Sequence, residues 1–223
     1  MKKTVKTEAP QEQTVVKKAM SINDIMNRQY DTLQFTGEWL EAFGEPERTG
    51  VWFVWGASGS GKSSFAMQLC AELTKHGRVL YNSLEEGKGL TFRNKIEVVR
   101  DTIDKKRFNI VCEGTKELSA RLNRRRSADF VVIDSFQYSG LNYETYKRFK
   151  QAHHDKLIIF TSHADGSRPS GRSAKSVMFD AGLKIWVEGF RAFSLGRFIG
   201  ENGGTFTIWE QGAWKARGEK ITN

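Results

Sequence analysis

Cysteine is nearly missing from this chain. Cys70 and Cys112 are the only two, each in an apolar segment, with no CxxC spacing. A disulfide framework is therefore excluded, and two buried free thiols in a reducing cytoplasm are expected. Histidine is scarce as well: His76, His153, His154 and His163 form no metal-ligand spacing. No apolar run is long enough to cross a bilayer, so no membrane partner is expected. The first twenty residues carry lysines but no apolar h-region. They do not read as a secretory signal but as a flexible basic tail, residues 1–20. No internal repeat is found, and nothing resembles the lid of a nucleotide-monophosphate kinase.

Positive charge is what the chain has in excess. Its 35 Lys and Arg against 26 Asp and Glu give a net charge of +9. That surplus favours a polyanion, nucleic acid or less often an anionic membrane, and a solvated basic face accounts for it as well. At 223 residues the chain fits one domain with extensions. Residues 21–47 read as an N-terminal helical extension in which Ile22, Ile25, Met26, Leu33, Trp39, Leu40 and Phe43 pack on the core edge.

Glycine and serine are concentrated in "GASGSGKSS", Gly56, Ala57, Ser58, Gly59, Ser60, Gly61, Lys62, Ser63 and Ser64. Glycines add nothing to a core but let a backbone curl and approach a ligand closely. The spacing is that of a P-loop. Backbone N–H groups would cradle the β-phosphate of ATP, Lys62 would reach its β- and γ-phosphates, and Ser63 would be a Mg²⁺ ligand. A flexible linker is the plainer reading, and the context opposes it. "VWFVW" precedes as a strand. Phe65, Ala66, Leu69, Cys70 and Leu73 follow at helical spacing, with Gly77 as the terminating C′ residue.

Further strands are expected at Val79–Tyr81, "FNIVCE", "ADFVVIDSF" and "LIIFTSH". Helices are expected around Phe92–Ile103, at 115–125 with a basic end at Arg124–Arg126, and at Tyr143–Ala152. Alternating strands and helices predict an α/β fold with a mainly parallel central sheet and helices on both faces. After His163 comes a polar, basic loop, "ADGSRPSGRSAK". "GLKIWVEG", "RAFSLGRF" and "GGTFTIWEQGAWKA" then read as strands that end the sheet in antiparallel fashion.

Asp134 closes an apolar strand, the pattern of a second Mg²⁺ anchor. Ser135 follows it and cannot activate water, so a general base is sought elsewhere. Glu85 or Glu86, at the tip of the strand after the P-loop helix, remains.

"LYNSLEEG", "VVIDSFQ", "FTSH" and "LGRFIGENGGTFTIWE" together resemble the RecA-type ATPase core, the group of RecA and RadA recombinases, DnaB-type helicases and KaiC-like ATPases. The likeness spans roughly residues 48–210, within a single ATPase domain over 48–223. It implies Mg-dependent ATP hydrolysis by a homo-oligomer, a ring or a filament, with Glu85 as the best-matching base and Glu86 beside it. It puts His163 where the group carries a γ-phosphate sensor, although a strand-end residue fixing a turn fits equally. Arg197 in "LGRFIG" matches an arginine finger acting on a neighbouring subunit, but Leu195 and Gly196 depart from the group's pattern, and a surface arginine is the alternative. With little room for accessory domains, the chain is similar to phage-encoded bare-core recombination proteins.

The resemblance also implies single-stranded DNA as partner, held by the loops after the fourth and fifth core strands. Tyr138, Tyr143 and Tyr146 offer stacking there, and Arg168, Arg172 and Lys175 offer mobile cations. A KaiC-like regulatory or assembly ATPase that binds no DNA is the alternative. A small-molecule phosphotransferase fits less well.

Overall fold

The computed structural model describes residues 18–195, 197–200 and 203–218. Most of the basic tail lies outside these residues, and so does Gly196. The chain divides after Tyr30 into two compact units, the second formed by residues 31–223. In the first unit, α1 (Ile22–Met26) is a single capped turn with no buried residue. Ile22, Ile25 and Met26 are exposed, so α1 buries no apolar face within its own unit. Five residues cannot bury an apolar stripe by themselves.

In the second unit, Thr32 bridges Glu47, and α2 (Glu38–Phe43) buries Ala42 and Phe43. The strands are β1 (Gly50–Gly56), β2 (Val79–Ser83), β3 (Phe108–Val111), β4 (Phe130–Asp134), β5 (Leu157–Asp165), β6 (Arg168–Pro169), β7 (Leu183–Glu188), β8 (Arg191–Ser194) and β9 (Thr205–Thr207). They form a sheet in the order β3-β2-β4-β5-β1-β7-β8-β9, with β6 paired to β5. β3, β2, β4, β5, β1 and β7 run parallel, and β8 and β9 close the sheet antiparallel. This is the α/β architecture expected from the alternating strands and helices.

Both faces of the sheet are covered, which explains the near-continuous apolar strands. Trp52 and Val54 of β1 and Phe130 and Val132 of β4 face one core, with α3 (Lys62–His76) and α4 (Leu90–Val99). Val51, Phe53 and Trp55, with Val131 and Ile133, face the other. There α5 (Thr115–Leu122), α6 (Tyr143–Ala152) and α7 (Arg172–Asp180) contribute Leu118, Tyr146 and Val177. A single 3-10 turn, Phe136–Tyr138, follows β4, and α8 (Glu210–Ala216) ends the described fold.

Four expectations change. The "polar loop" after His163 is a hairpin, β5–β6, followed by helix α7. Gly166 at φ +60° turns the hairpin, and Gly171 at φ +90° starts the helix. The segment "EQGAWKA" is helix, not strand. Cys112 is exposed, because it lies one residue past β3 where the chain leaves the sheet; only Cys70 is buried. Gly77 does end α3, but with extended backbone, φ 178°. Glycine is required there by crowding: a Cβ would fall 2.8 Å from Asp129 Oδ2 and 2.9 Å from Phe130 Cε2.

Candidate functional site

The carboxyl ends of β1, β2, β4 and β5 surround one open cleft of about 450 Å³. In an open parallel sheet this is the edge where ligands sit. Its walls hold Gly59, Gly61, Lys62, Ser63, Glu85, Asp134 and His163, and also Lys95 and Phe190.

The P-loop leaves β1 at Gly56, where β7 runs so close that a Cβ would lie 2.2 Å from the Val187 carbonyl oxygen. Gly59 and Gly61 take φ +74° and +103°, which side chains with a Cβ rarely adopt. The loop is braced on its far side. Phe190, at the tip of the β7–β8 hairpin, donates its N–H to the Ser60 carbonyl at 3.0 Å. α3 starts at Lys62 with no side-chain cap and no acid in its first turn. Its leading N–H groups therefore point at the cleft with the positive end of the helix dipole. Lys62 Nζ donates to the Ala57 carbonyl at 2.8 Å. Burial draws its ammonium below the ordinary lysine range; Glu85 and Asp134 oppose that shift and Lys95 adds to it.

Asp134 is buried and has both carboxylate oxygens engaged. Tyr81 Oη donates to Oδ2 and Thr161 Oγ1 to Oδ1, each at 2.5 Å. Burial, first of all, holds the Tyr81 phenol far above the ordinary tyrosine range, so it remains a donor. Beside these groups, the hydroxyls of Ser60, Ser83 and Ser135 are buried without a partner. Ser83 stands opposite Asp134 in the β2–β4 register.

These unsatisfied hydroxyls, the free N–H groups of α3, the Lys62 ammonium and the Asp134 carboxylate make a donor set that fits a magnesium–triphosphate. No cluster of three His, Cys, Asp or Glu suited to a metal occurs among the described residues.

The two candidate bases have different surroundings. Glu85 Oε2 lies 3.3 Å from His163 Nε2. Glu86 Oε1 accepts from Lys95 Nζ at 2.6 Å, and its other oxygen is buried without a partner. Lys95 lies on α4, and no sequence signal marked it: one lysine in an amphipathic helix reads as a solvated face.

Gln137 is a second residue not singled out from sequence. Its Nε2 donates to Ser162 Oγ at 2.8 Å and to the Ser170 carbonyl at 3.1 Å, and its Oε1 accepts from the His163 N–H at 3.3 Å. It thus connects the chain after Asp134 to the end of β5 and to the hairpin. Tyr138 is exposed, with its ring 6.4 Å from that of His163. Arg168 lies on β6, and Arg172 and Lys175 lie in the first turns of α7. The hairpin is pinned: Trp55 Nε1 donates to the Ser167 carbonyl at 3.1 Å. Tyr143 is partly exposed at the start of α6, whereas Tyr146 is core, its hydroxyl 2.5 Å from Asp180. Arg197 is exposed, in the segment beyond β8 and outside this cleft.

A family model described as an AAA domain matches residues 38–144. The match takes in the P-loop, both glutamates and Asp134, and stops before His163 and the hairpin. Among solved structures, the chain is similar to the flagellar accessory protein FlaH from Methanocaldococcus jannaschii, with a TM-score of 0.57 and 15% identity over 81% of this chain and 96% of that one. No curated protein matches the sequence.

Proposed function

We propose that this chain, whose core is a RecA-type P-loop fold, binds and hydrolyses Mg·ATP and couples that cycle to single-stranded DNA. The observation that carries the reading is the convergence of the P-loop, Asp134 and Glu85 on one cleft. The P-loop N–H groups and Lys62 would hold the phosphates, and Ser63 and Asp134 would hold Mg²⁺, which when bound would neutralise charge that develops on the phosphates. Glu85 orients a water and accepts its proton as the water oxygen bonds to the γ-phosphorus. The bond from that phosphorus to the β–γ bridging oxygen breaks, and ADP leaves with the electron pair. Glu86 serves less well, because Lys95 holds it. His163 orients Glu85 and borders the γ-phosphate.

DNA enters this reading through Gln137. It ties the end of the metal-side strand to His163 and Ser170, and so to Tyr138 and to the cations Arg168, Arg172 and Lys175. Tyr138 would stack a base, and the cations would meet phosphates. The test is an ATPase assay with and without single-stranded DNA, beside nucleotide binding by Lys62→Ala. Mg-dependent turnover that DNA stimulates is expected. Lys62→Ala should lose tight Mg·ATP binding; near-normal affinity in that folded variant would sink the assignment.

The likeness to a flagellar accessory protein favours one second reading, a regulatory or assembly ATPase whose partner is another protein. Turnover indifferent to DNA, in a protein that binds no oligonucleotide at low salt, would select it.

A further inference from the structure

The opposite end of the sheet carries a run of three arginines with no ion pair among the described residues. α5 ends at Leu122, and the chain turns through Arg124, Arg125 and Arg126 before entering β4. The turn is fixed: the Arg124 N–H donates to the Arg121 carbonyl and the Ser127 N–H to the Arg124 carbonyl, each at 3.1 Å. All three arginines are exposed. Neighbouring cations are already matched, Arg121 by Glu113, Arg78 by Asp129 and Lys156 by Asp155. No ion pair engages Arg124, Arg125 or Arg126 among the described residues.

A second observation is independent of charge. Arg126 has φ +60°, a left-handed conformation that glycine adopts freely and a residue with a Cβ adopts only under strain. Strained positions of this kind cluster at binding sites. The turn also borders an open depression of about 470 Å³, shared with Arg78 and Lys156, with Asn123 and His153, and with Asp129 and Asp155, the two carboxylates that Arg78 and Lys156 already pair. The depression is shallow and almost wholly polar, with Leu122 its only large apolar contributor and no Phe, Tyr or Trp.

We propose that the Arg124–Arg126 turn is a binding site for the phosphate backbone of nucleic acid, without base readout. It lies on the amino edge of the sheet, about 13 Å from the nucleotide edge along the length of β4. Arginine is always charged and presents a planar fork that matches phosphate. Three unpaired forks on one turn suit a chain of phosphates better than one small anion, which would need an enclosing wall. Without an aromatic platform there is no stacking, so affinity comes from charge and ignores sequence. The site is separate from the hairpin and α7 and does not depend on the reading given to them.

The test is anisotropy of a fluorescein-labelled single-stranded oligonucleotide, titrated at several salt concentrations. Arg124→Ser/Arg125→Ser/Arg126→Gly should flatten the log–log salt slope by about two units, from about 0.7 per phosphate lost. Arg124→Lys/Arg125→Lys/Arg126→Lys should restore most of that slope. Arg126→Gly alone should weaken binding while keeping or raising the melting temperature, which separates loss of contact from loss of fold. Arg168→Ala/Arg172→Ala/Lys175→Ala serves as the comparison. If only the comparison variant loses slope, the turn is not a site and the hairpin reading stands. If only the arginine-turn variant loses slope, the proposal stands and the hairpin reading fails. Absence of oligonucleotide binding by the unaltered protein overturns the proposal, as does binding to phosphatidylserine vesicles alone.

Discussion

The Glu85 N–H donates to the main-chain carbonyl oxygen of Asp134 at 3.0 Å, and the Leu84 N–H donates to the same oxygen at 2.7 Å. The segment carrying the glutamates is thus tied to the end of the strand that carries the aspartate. A candidate base and a candidate metal anchor are held together by backbone, not by side chains that must find each other.

That coupling makes the Glu85 prediction specific. Glu85→Gln should bind Mg·ATP normally and turn over on the order of a hundredfold more slowly, since an amide accepts no proton. Glu86→Gln should lose less, because its lost partner is Lys95. Single-turnover hydrolysis measured beside nucleotide binding distinguishes them. A hundredfold loss in Glu86→Gln alone would move the base by one residue.

Asp134 yields a prediction about stability. Thr161→Val leaves Oδ1 without its hydroxyl donor, and Tyr81→Phe does the same to Oδ2. An unsatisfied buried acceptor costs about 1–3 kcal/mol, more when charged. In a domain of this size each kcal/mol lowers the melting temperature by about 2–4 °C. Denaturant titration of both single variants and the double variant should show non-additive losses, because the two hydroxyls serve one carboxylate. Unchanged midpoints would mean that the carboxylate is solvated in the free protein.

The two thiols should separate cleanly. Cys112 is exposed. Cys70 is fully buried, and that burial pushes its thiol far above the ordinary range. Only the thiolate reacts. An aromatic disulfide reagent should titrate one thiol in the native protein and a second in guanidinium. Two fast native thiols would mean that α3 is not packed as described.

Much of this was legible in the sequence, and what was not has a physical reason. The P-loop is local: its glycines, lysine and serine are consecutive, and the strand and helix around it have clear periods. Asp134 is legible because β4 is apolar on both faces and ends in a charge. α7 was hidden by Gly166, Pro169 and Gly171, which dominate its approach and give the segment the composition of a loop. Its apolar face, Ala174, Val177 and Met178, shows only once the helix is known. The pairings of Glu86 with Lys95 and of Gln137 with Ser162, Ser170 and His163 join separate elements. No spacing rule reports such contacts, because the sheet order that creates them is a long-range property.

Arg197 gives the prediction that reaches beyond one chain. It is exposed on the segment after β8, outside the nucleotide cleft and with no ion pair among the described residues. An exposed arginine that does not line its own chain's cleft is available to a neighbour's. Nearby, the Leu195 N–H donates to the Lys184 carbonyl at 2.8 Å, and Ser194 Oγ donates to the Phe198 carbonyl at 2.5 Å. If Arg197 acts in trans, specific ATPase activity should rise with protein concentration as oligomers form. Arg197→Ala should fold, bind Mg·ATP and turn over poorly at every concentration. A mixture of Arg197→Ala with Glu85→Gln should recover part of the activity, because an intact Glu85 can then face an intact Arg197 across one interface. Activity that is independent of concentration, with Arg197→Ala unimpaired, would leave Arg197 a surface residue and the cleft complete within one chain.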